Sequence, residues 1–357
     1  MKSLCVVEAP DPAEKKLGKV GLRDFPKPEP GPEDVLIKVA YASICGSDSN
    51  ILKGNVPVNL LESLKILLQF QGLQIGHEIS GVIEEAGPVA QKMGFKPGDR
   101  VTANYNQYCN SCYYCRTGQE NFCEHQTSHM DGMSEYVCWH MSQIYKVPDD
   151  VSLLDASQTE PLTIALNAVE TGQVHLGSRV FVSGAGSIGL YCIQLAKLAG
   201  ASMIVASDIV ESKRELAKAC GADFTVDPTS ETWKEDALAL TGGLGFSTVL
   251  ESSGAAPAAE ASIDLMSKGG HCVMFAMYKP TYELSVNPYQ ELYENSKTIH
   301  GMYTSADVFP RAIAMLKSMD FEKVIEDVIP YEDCEKAFDK VLSGNSTKIV
   351  LKFSDDK

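Results

Sequence analysis

The glycine-rich segment GAGSIG, residues 184–189, constrains the fold of this chain more than any other feature. The apolar run RVFVS, which is typical of a buried strand, precedes it, and the apolar helical pattern LYCIQLAKLAG follows it. A G-x-G-x-x-G turn between a strand and a helix predicts a phosphate-binding turn in a parallel sheet. Because glycine pairs occur in many tight turns, a strand–helix turn without a ligand is the alternative interpretation.

The neighbouring segments continue the alternation of strand and helix. Between residues 158 and 299, apolar runs such as SMIVASD, STVLESSG and HCVMFAMY alternate with helical stretches such as ESKRELAKACGA. This alternation predicts an α/β domain, a doubly wound parallel sheet with helices on both of its faces.

Five positions of the glycine-rich turn have expected roles in binding a dinucleotide. Gly184 permits the tight turn, Gly186 the close approach of the pyrophosphate, and Gly189 the packing of the helix on the strand. Ser187 and Ile188 begin the helix, whose N-terminus carries a partial positive charge that faces the phosphates.

An acidic residue at the end of the next strand predicts which dinucleotide is bound. Asp208 lies 208 − 186 = 22 residues past the middle glycine, where a carboxylate binds the ribose hydroxyls and repels a 2′-phosphate. The next residue is Ile209, whereas an arginine there would favour the 2′-phosphate of NADP(H). The sequence therefore favours NAD(H) over NADP(H). Lys213 is a candidate contact on the adenosine side, and a solvated lysine on the helix surface is the alternative.

The first 157 residues have a different pattern. Short β-rich runs, among them DVLIKVAYASI, EISGVIEEAG and KPGDRVTANY, alternate with turns rich in proline and glycine, which predicts an irregular β-barrel. The tail from residue 300 mixes helix and strand and is expected to return to this part. We therefore predict a discontinuous domain of residues 1–157 and 300–357, with residues 158–299 as the second domain.

Four cysteines lie within a short stretch of the first domain, at Cys109, Cys112, Cys115 and Cys123. Four thiolates give Zn²⁺ a closed tetrahedral shell without an open position, so such an ion would be structural. An iron–sulfur cluster also uses four thiolates, but the fourth cysteine stands at the wrong spacing for a ferredoxin motif. The odd total of 11 cysteines and the expected reducing compartment disfavour a disulfide framework.

Charge and hydropathy exclude several classes of partner. The chain has 31 Lys and Arg against 47 Asp and Glu, a net charge of −16, which argues against nucleic acid because its binding depends on cationic contacts to phosphate. No apolar run reaches the roughly 18 residues of a membrane span. The start, MKSLCVVEAPDP, has no signal-peptide core, so we expect a cytoplasmic protein without membrane contact.

A second set of residues offers the mixed ligands of a catalytic metal: Cys45 in ICGSD, His77 and Glu78 in IGHEISG, and Glu160 in TEPL. Taken singly, each has a structural alternative: a small buried thiol, a core histidine, or an acid at a helix N-terminus. Together with PGDRV, the four cysteines and GAGSIG, in this order, they resemble the medium-chain zinc-dependent alcohol dehydrogenases. Within that family the chain is most similar to the polyol, threonine and butanediol dehydrogenases, over nearly its whole length.

The resemblance implies a fold and a set of ligands. The fold is a GroES-like β-barrel catalytic domain, with a zinc lobe at residues 105–125, and a Rossmann domain, with the active site in the cleft. Cys45, His77 and Glu160 would bind the catalytic zinc, and Glu78 would be an alternating or neighbouring carboxylate. The four cysteines would bind the structural zinc, which gives two Zn²⁺ per chain beside NAD(H).

The resemblance also implies a proton route and an assembly. Ser47 matches the hydroxyl that accepts the substrate proton, but Asn50 stands where many relatives have a histidine that passes the proton on. Since asparagine cannot titrate, the route would end at the cofactor ribose or at water, or Glu78 would assist. The family usually forms dimers or tetramers through the cofactor domain, so a homodimer or homotetramer is expected.

The expected reaction interconverts a secondary alcohol and its ketone by hydride transfer, with a polyol or polyol phosphate as the favoured substrate. An iron–sulfur electron carrier and a non-catalytic NAD-binding protein are the competing functions. Cys45, His77 and Glu160 together argue against a non-catalytic protein, although Asn50 leaves that interpretation some room.

A leucine-rich segment between Cys45 and His77 raises the question of an apolar substrate. The gap is 77 − 45 = 32 residues, and its apolar residues recur at helical spacing: Leu60, Leu61, Leu64, Leu67, Leu68 and Phe70. Packing of this face on the barrel or on a partner subunit is the simpler interpretation. The alternative is an apolar lid that admits a bulky secondary alcohol such as a hydroxysteroid.

If the lid interpretation is correct, replacing Leu67 and Phe70 with serine weakens the binding of apolar alcohols far more than that of polyols, because buried polar groups without partners are costly. The KM values of both substrate classes for the double variant measure this. Equal losses for the two classes would contradict the lid.

Overall fold

The computed structural model describes residues 1–56, 62, 66, 68 and 72–355. The strands of this part of the chain are, in order, β1 (Lys2–Glu8), β2 (Lys19–Asp24), β3 (Asp34–Ser43), β4 (Leu73–Gln74), β5 (Glu78–Ala86), β6 (Arg100–Ala103), β7 (Asn106–Gln107), β8 (Thr127–Ser128), β9 (Tyr136–His140), β10 (Ile144–Lys146), β11 (Arg179–Ser183), β12 (Met203–Ser207), β13 (Phe224–Val226), β14 (Phe246–Glu251), β15 (Met266–Met274), β16 (Thr298–Gly301), β17 (Ile325–Pro330) and β18 (Lys348–Lys352).

The α-helices of the same residues are α1 (Gly46–Lys53), α2 (Pro88–Lys92), α3 (Tyr113–Arg116), α4 (Leu153–Ala156), α5 (Thr159–Thr171), α6 (Ser187–Leu198), α7 (Glu211–Cys220), α8 (Trp233–Leu240), α9 (Ala256–Leu265), α10 (Phe309–Met315) and α11 (Cys334–Leu342). Single 3₁₀ turns occur at Glu120–Phe122, Met141–Gln143, Leu316–Ser318 and Tyr331–Asp333, and a π-helical turn at Pro288–Glu294.

The chain divides into two compact units. The first consists of Met1–Glu160, Phe309–Lys317 and Ile325–Lys357, and the second of Pro161–Val308 and Ser318–Val324. The boundaries expected from the sequence, at residues 157 and 300, lie a few residues from these.

Hydrogen bonds explain where the second unit ends. The Asn167 side chain on α5 donates to the backbone oxygen of Thr304 (3.0 Å), and the Ser305 hydroxyl donates to that of Thr163 (3.0 Å). The backbone N–H of Asp320 donates to the amide oxygen of Gln194 on α6 (2.8 Å). Residues 300–308 and 318–324 are therefore attached to the helices of the second unit.

The largest sheet of the first unit has β3 near its centre. Its strand order is β10-β6-β5-β3-β18-β17, and β9 also pairs with β3. The predicted strands within residues 34–44, 78–87 and 96–105 are confirmed as β3, β5 and β6. In the antiparallel ladders, Ser43 at the end of β3 lies opposite Glu78 on β5 and Val350 on β18. This register places the segments after β3 and before β5 side by side.

The second unit contains a parallel sheet in the order β13-β12-β11-β14-β15-β16. The predicted strand–helix alternation is confirmed, with RVFVS as β11, SMIVASD as β12 and ESKRELAKACGA as α7. Phe181 and Phe246 are buried in its core, with ring centroids 5.1 Å apart. The chain leaves the carboxyl ends of β11 and β12 at the glycine-rich turn and at Asp208.

Most of the leucine-rich segment lies outside the described residues, including Leu60, Leu61, Leu64, Leu67 and Phe70. Its described member Leu68 is partly buried against the core of the first unit.

Candidate active site and cofactor site

The end of β3 and the start of β5 bring three candidate ligands together. The Cys45 sulfur, a ring nitrogen of His77 and a carboxylate oxygen of Glu78 all lie within 4.8 Å of one another. Cys45 precedes the first turn of α1, and its backbone N–H donates to the Asp48 carboxylate (2.9 Å). Cys45 is thus the N-cap residue of α1.

The donor set of this cluster fits a zinc ion. A thiol, an imidazole and a carboxylate are the three ligand types that Zn²⁺ takes in proteins, and three protein ligands leave one position open. The Nδ1 atom of His77 is buried and has no hydrogen-bond partner among the described residues. The His77 ring packs against Tyr105, with ring centroids 4.7 Å apart.

Glu160 lies beside the cluster, at the start of α5. Burial lowers the pKa of His77, but the negative charges of Cys45 and Glu160 outweigh this effect and raise it to about 10. Burial raises the pKa of Glu160 itself to about 7, although His77 opposes the change. Among the described residues, however, Glu78 and not Glu160 supplies the carboxylate of the 4.8 Å cluster. The structure thus places Glu78 beside Cys45 and His77, whereas the sequence analysis expected Glu160 as the ligand and Glu78 as the alternating or neighbouring carboxylate.

Glu78 also forms a buried ion pair with Lys348, a residue that the sequence analysis missed. The two side chains are 1% and 2% exposed, and the Lys348 ammonium also donates to the backbone oxygen of Ile44 (3.2 Å). Burial alone would lower the pKa of Lys348, but Glu78 and Cys45 raise it, so the ammonium keeps its charge. The sequence feature that could have indicated this residue is a lysine at the start of the apolar strand β18.

Two polar groups on α1 have a buried oxygen atom without a hydrogen-bond partner among the described residues. The hydroxyl oxygen of Ser47 is buried and has no hydrogen-bond partner within the described part of the chain, and the same is true of one carboxylate oxygen of Asp48. A buried hydroxyl without a partner is costly in a folded protein, which is consistent with a ligand that bonds to it. Asn50 lies one turn further along α1 and is partly exposed.

The four cysteines of the segment 109–123 form a separate cluster. The sulfur atoms of Cys109, Cys112, Cys115 and Cys123 all lie within 4.8 Å of one another, and none is in a disulfide. The Ser111 hydroxyl and nearby backbone N–H groups lower the pKa of Cys109 to about 5. The short ribbon of β7 and β8 closes the base of this lobe. The arrangement fits a four-thiolate zinc site.

The backbone of the glycine-rich turn requires glycine at its first and last positions. Gly184 has φ +91°, and a Cβ there would lie 3.0 Å from the Cβ of Ser253, while a Cβ at Gly189 would collide with the Gly184 carbonyl. A Cβ at Gly186 would meet no described atom within 4 Å, and its φ of −70° suits any residue. The open space at Gly186, beside Ser187 at the start of α6, leaves room for a ligand to approach the backbone.

Asp208 fixes the loop next to the glycine-rich turn. One carboxylate oxygen accepts the backbone N–H of Ala185 (2.9 Å), and the other accepts that of Val210 (2.9 Å). Arg214, which the sequence analysis missed, donates to the Asp208 backbone oxygen (2.7 Å) and pairs with Asp227 (3.2 Å). Lys213 lies on the same helix and is partly exposed.

A second missed residue, Glu251, ends β14 beside this turn. It is fully buried, and its carboxylate accepts the backbone N–H of Ser253 (2.9 Å) and the Tyr278 hydroxyl. Because Ser253 packs against Gly184, Glu251 holds the loop that backs the glycine-rich turn.

Replacing Lys348 with methionine should lower the free energy of unfolding by about 3–5 kcal/mol, because it leaves Glu78 buried without its partner. Urea denaturation of the zinc-loaded protein measures this. The control is Lys317→Met, which breaks an ion pair with Asp150 whose side chains are 54% and 64% exposed, so solvent screening should leave the stability almost unchanged. Equal stability of the two variants would show that the buried pair contributes little.

Comparison with known proteins identifies the family. Residues 31–149 match the model of the alcohol dehydrogenase GroES-like domain, and residues 187–318 that of the zinc-binding dehydrogenase. The chain is 32% identical to a sorbitol dehydrogenase of Halalkalibacterium halodurans over 94% of this chain and 96% of that protein. It is also 32% identical to a D-arabitol-phosphate dehydrogenase of Enterococcus avium, with 92% of each covered.

Solved structures agree with this assignment. A structure from Clostridium scindens, named a zinc-binding dehydrogenase, is 42% identical with a TM-score of 0.94 and 99% of each chain covered. Two structures at 26% identity hold cofactors. One from Sinorhizobium meliloti holds NADP (TM-score 0.85; 98% and 99% covered), and one from Escherichia coli holds NADH (0.83; 99% of each).

These matches confirm the predicted GroES-like and Rossmann folds and the enzyme class. No described helix is long and apolar enough to cross a membrane. The chain belongs to the zinc-dependent medium-chain alcohol dehydrogenases, whose cofactors are zinc and a nicotinamide dinucleotide.

Proposed function

We propose that this protein is an NAD-dependent dehydrogenase that interconverts a polyol or polyol phosphate and the corresponding ketose. The observation that carries the proposal is the buried cluster of Cys45, His77 and Glu78, with the Ser47 hydroxyl on the helix that Cys45 caps. Its mixed donors suit a zinc ion with an open position, which a substrate hydroxyl can take.

In this proposal Cys45, His77 and one carboxylate hold the catalytic zinc. Glu78 is the carboxylate in the arrangement observed, where it also pairs with Lys348. Glu160 is close enough to influence His77 and is the alternative ligand. If Glu78 paired with Lys348 alone, Glu160 would replace it as the zinc ligand.

When bound, zinc supplies a Lewis acid for the substrate hydroxyl, and the nicotinamide supplies the hydride acceptor. Ser47 accepts the substrate proton, since its buried oxygen has no other partner among the described residues. Asn50 can make hydrogen bonds but cannot titrate, so the proton that Ser47 releases in exchange would leave to water or by way of a ribose hydroxyl of the bound cofactor.

Cys109, Cys112, Cys115 and Cys123 would hold the second zinc. Four sulfur ligands complete its tetrahedral shell, so no position remains for a substrate. This ion would stabilise the lobe, which is otherwise built of a four-residue helix, one 3₁₀ turn and a two-residue ribbon.

The proposed preference for NAD(H) depends on the loop after β12. The Asp208 carboxylate would accept ribose hydroxyls beside the amides it already binds, and its charge would repel a 2′-phosphate. Arg214 is paired with Asp227, and Ile209 offers no charge. Ser187, Ile188 and the turn glycines would bind the pyrophosphate, and Lys213 remains a candidate contact.

The substrate class is supported by the relatives, which are named for sorbitol and D-arabitol phosphate. The alternative, a bulky apolar alcohol, depends on a segment that lies mostly outside the described residues, and its described member Leu68 packs against the core of the first unit.

We further propose that the two units are the catalytic and cofactor domains of a cytoplasmic homodimer or homotetramer. The turn Pro288–Glu294 exposes Tyr289, Leu292 and Tyr293 by 67%, 44% and 77%, an apolar surface suited to a second copy of the chain. The 11 free cysteines fit a reducing compartment.

The proposed function is tested by NADH formation on a matched panel of substrates. We expect the highest kcat/KM on a sugar alcohol or its phosphate and lower values on butanediol, threonine and hydroxysteroids, with NAD preferred to NADP. Ser47→Ala should lower kcat on the best substrate by about 10²–10⁴-fold, the usual contribution of a positioned proton acceptor. Preferred turnover of a hydroxysteroid would overturn the substrate class, and no turnover with both zincs bound would overturn the function.

A further inference from the structure

Three polar side chains that the proposed chemistry does not use lie together in the core of the first unit. Ser43, Ser157 and Gln158 are each 0% exposed. The Gln158 amide nitrogen donates to the hydroxyl oxygen of Ser43 (2.6 Å) and to that of Ser157 (2.7 Å), and the two hydroxyl oxygens are 3.2 Å apart. We call this set the serine–glutamine network.

The hydrogen atoms of the network are all assigned. The Ser157 hydroxyl donates to the backbone oxygen of Leu154 (2.7 Å), so Ser43 must be the donor in the bond between the two hydroxyls. Gln158 then uses both of its amide hydrogens, one for each serine. A buried network that is fully satisfied has a defined geometry, since each lost bond leaves a polar group without a partner.

The network joins the end of β3, which leads to Cys45, to the turn that leads to Glu160. Ser43 lies two residues before Cys45 and opposite Glu78 in the ladder between β3 and β5. Gln158 lies two residues before Glu160, at the start of α5. A shift at Gln158 is therefore a shift of Glu160 relative to the other ligands.

We propose that Gln158 is a positioning residue for the catalytic zinc, one that fixes the turn carrying Glu160 against the strand that leads to Cys45. This inference rests on the proposed function of the site. An apolar side chain of similar volume would fill the same space, but it would lack the directional bonds that hold the two segments in one register.

The test is Gln158→Leu, examined in the full-length protein loaded with Zn²⁺ or Co²⁺. Competition with a chelator measures zinc affinity, and the cobalt difference spectrum against Cys45→Ser isolates the catalytic site. We expect Gln158→Leu to lower zinc affinity at this site about tenfold, the lower end of the range for residues that orient ligands, and to change the cobalt spectrum. Binding at the four cysteines should not change.

The matched control is Gln194→Leu in the second unit. Gln194 is 7% exposed and makes two hydrogen bonds with the backbone of Asp320, so its loss removes a comparable buried amide far from the ligands in sequence. It should lower stability while leaving the zinc affinity and the cobalt spectrum at their wild-type values. An equal loss of zinc affinity in both variants would overturn the positioning role.

A double variant, Ser43→Ala with Gln158→Leu, separates positioning from folding. Removing both partners of a buried hydrogen bond restores much of the stability, but we expect zinc affinity to remain about tenfold low. Recovery of both properties would overturn the proposal, as would a Gln158→Leu spectrum identical to wild type. If the wild-type protein shows no cobalt signal that depends on Cys45, the proposed function fails as well, so the two failures are distinguishable.

Discussion

The concentration of buried negative charge at one end of β3 is the constraint on which the rest of the site depends. Asp48, Glu78 and Glu160 are buried, and the fold brings all three close to the cluster of Cys45 and His77. Buried anionic groups are costly unless cations compensate them. Lys348 supplies one cation on the side of Glu78, and the proposed zinc supplies a second. Binding of the proposed zinc would therefore add stability to the first unit.

The two cysteine-containing clusters differ in how far apart their residues lie in the sequence. All four cysteines of the lobe lie in one short segment, so the proposed zinc would replace a hydrophobic core that the segment is too small to form. The cluster at Cys45 takes its ligands from distant segments that the sheet of the first unit aligns. Its ligands therefore depend on strand register, and the serine–glutamine network and Lys348 act on that register.

Local motifs made much of this site predictable from sequence. The glycine-rich turn and Asp208 are defined by spacings of a few residues, and the cysteine lobe by one short segment. The partner of Glu78 was not predictable, because Lys348 lies 270 residues away in the chain and only the pairing of β18 with β3 brings it near. The choice between Glu78 and Glu160 and the role of Gln158 likewise depend on three-dimensional proximity, which no local pattern encodes.

The most direct test of the account is anomalous diffraction at the zinc absorption edge from crystals of the purified protein. The account predicts two peaks per chain. One should be bound by the sulfur atoms of the four-cysteine lobe, and the other by Cys45, His77 and the carboxylate of Glu78 or Glu160. A zinc peak at the lobe alone, with no metal bound to Cys45 and His77, would contradict the central claim.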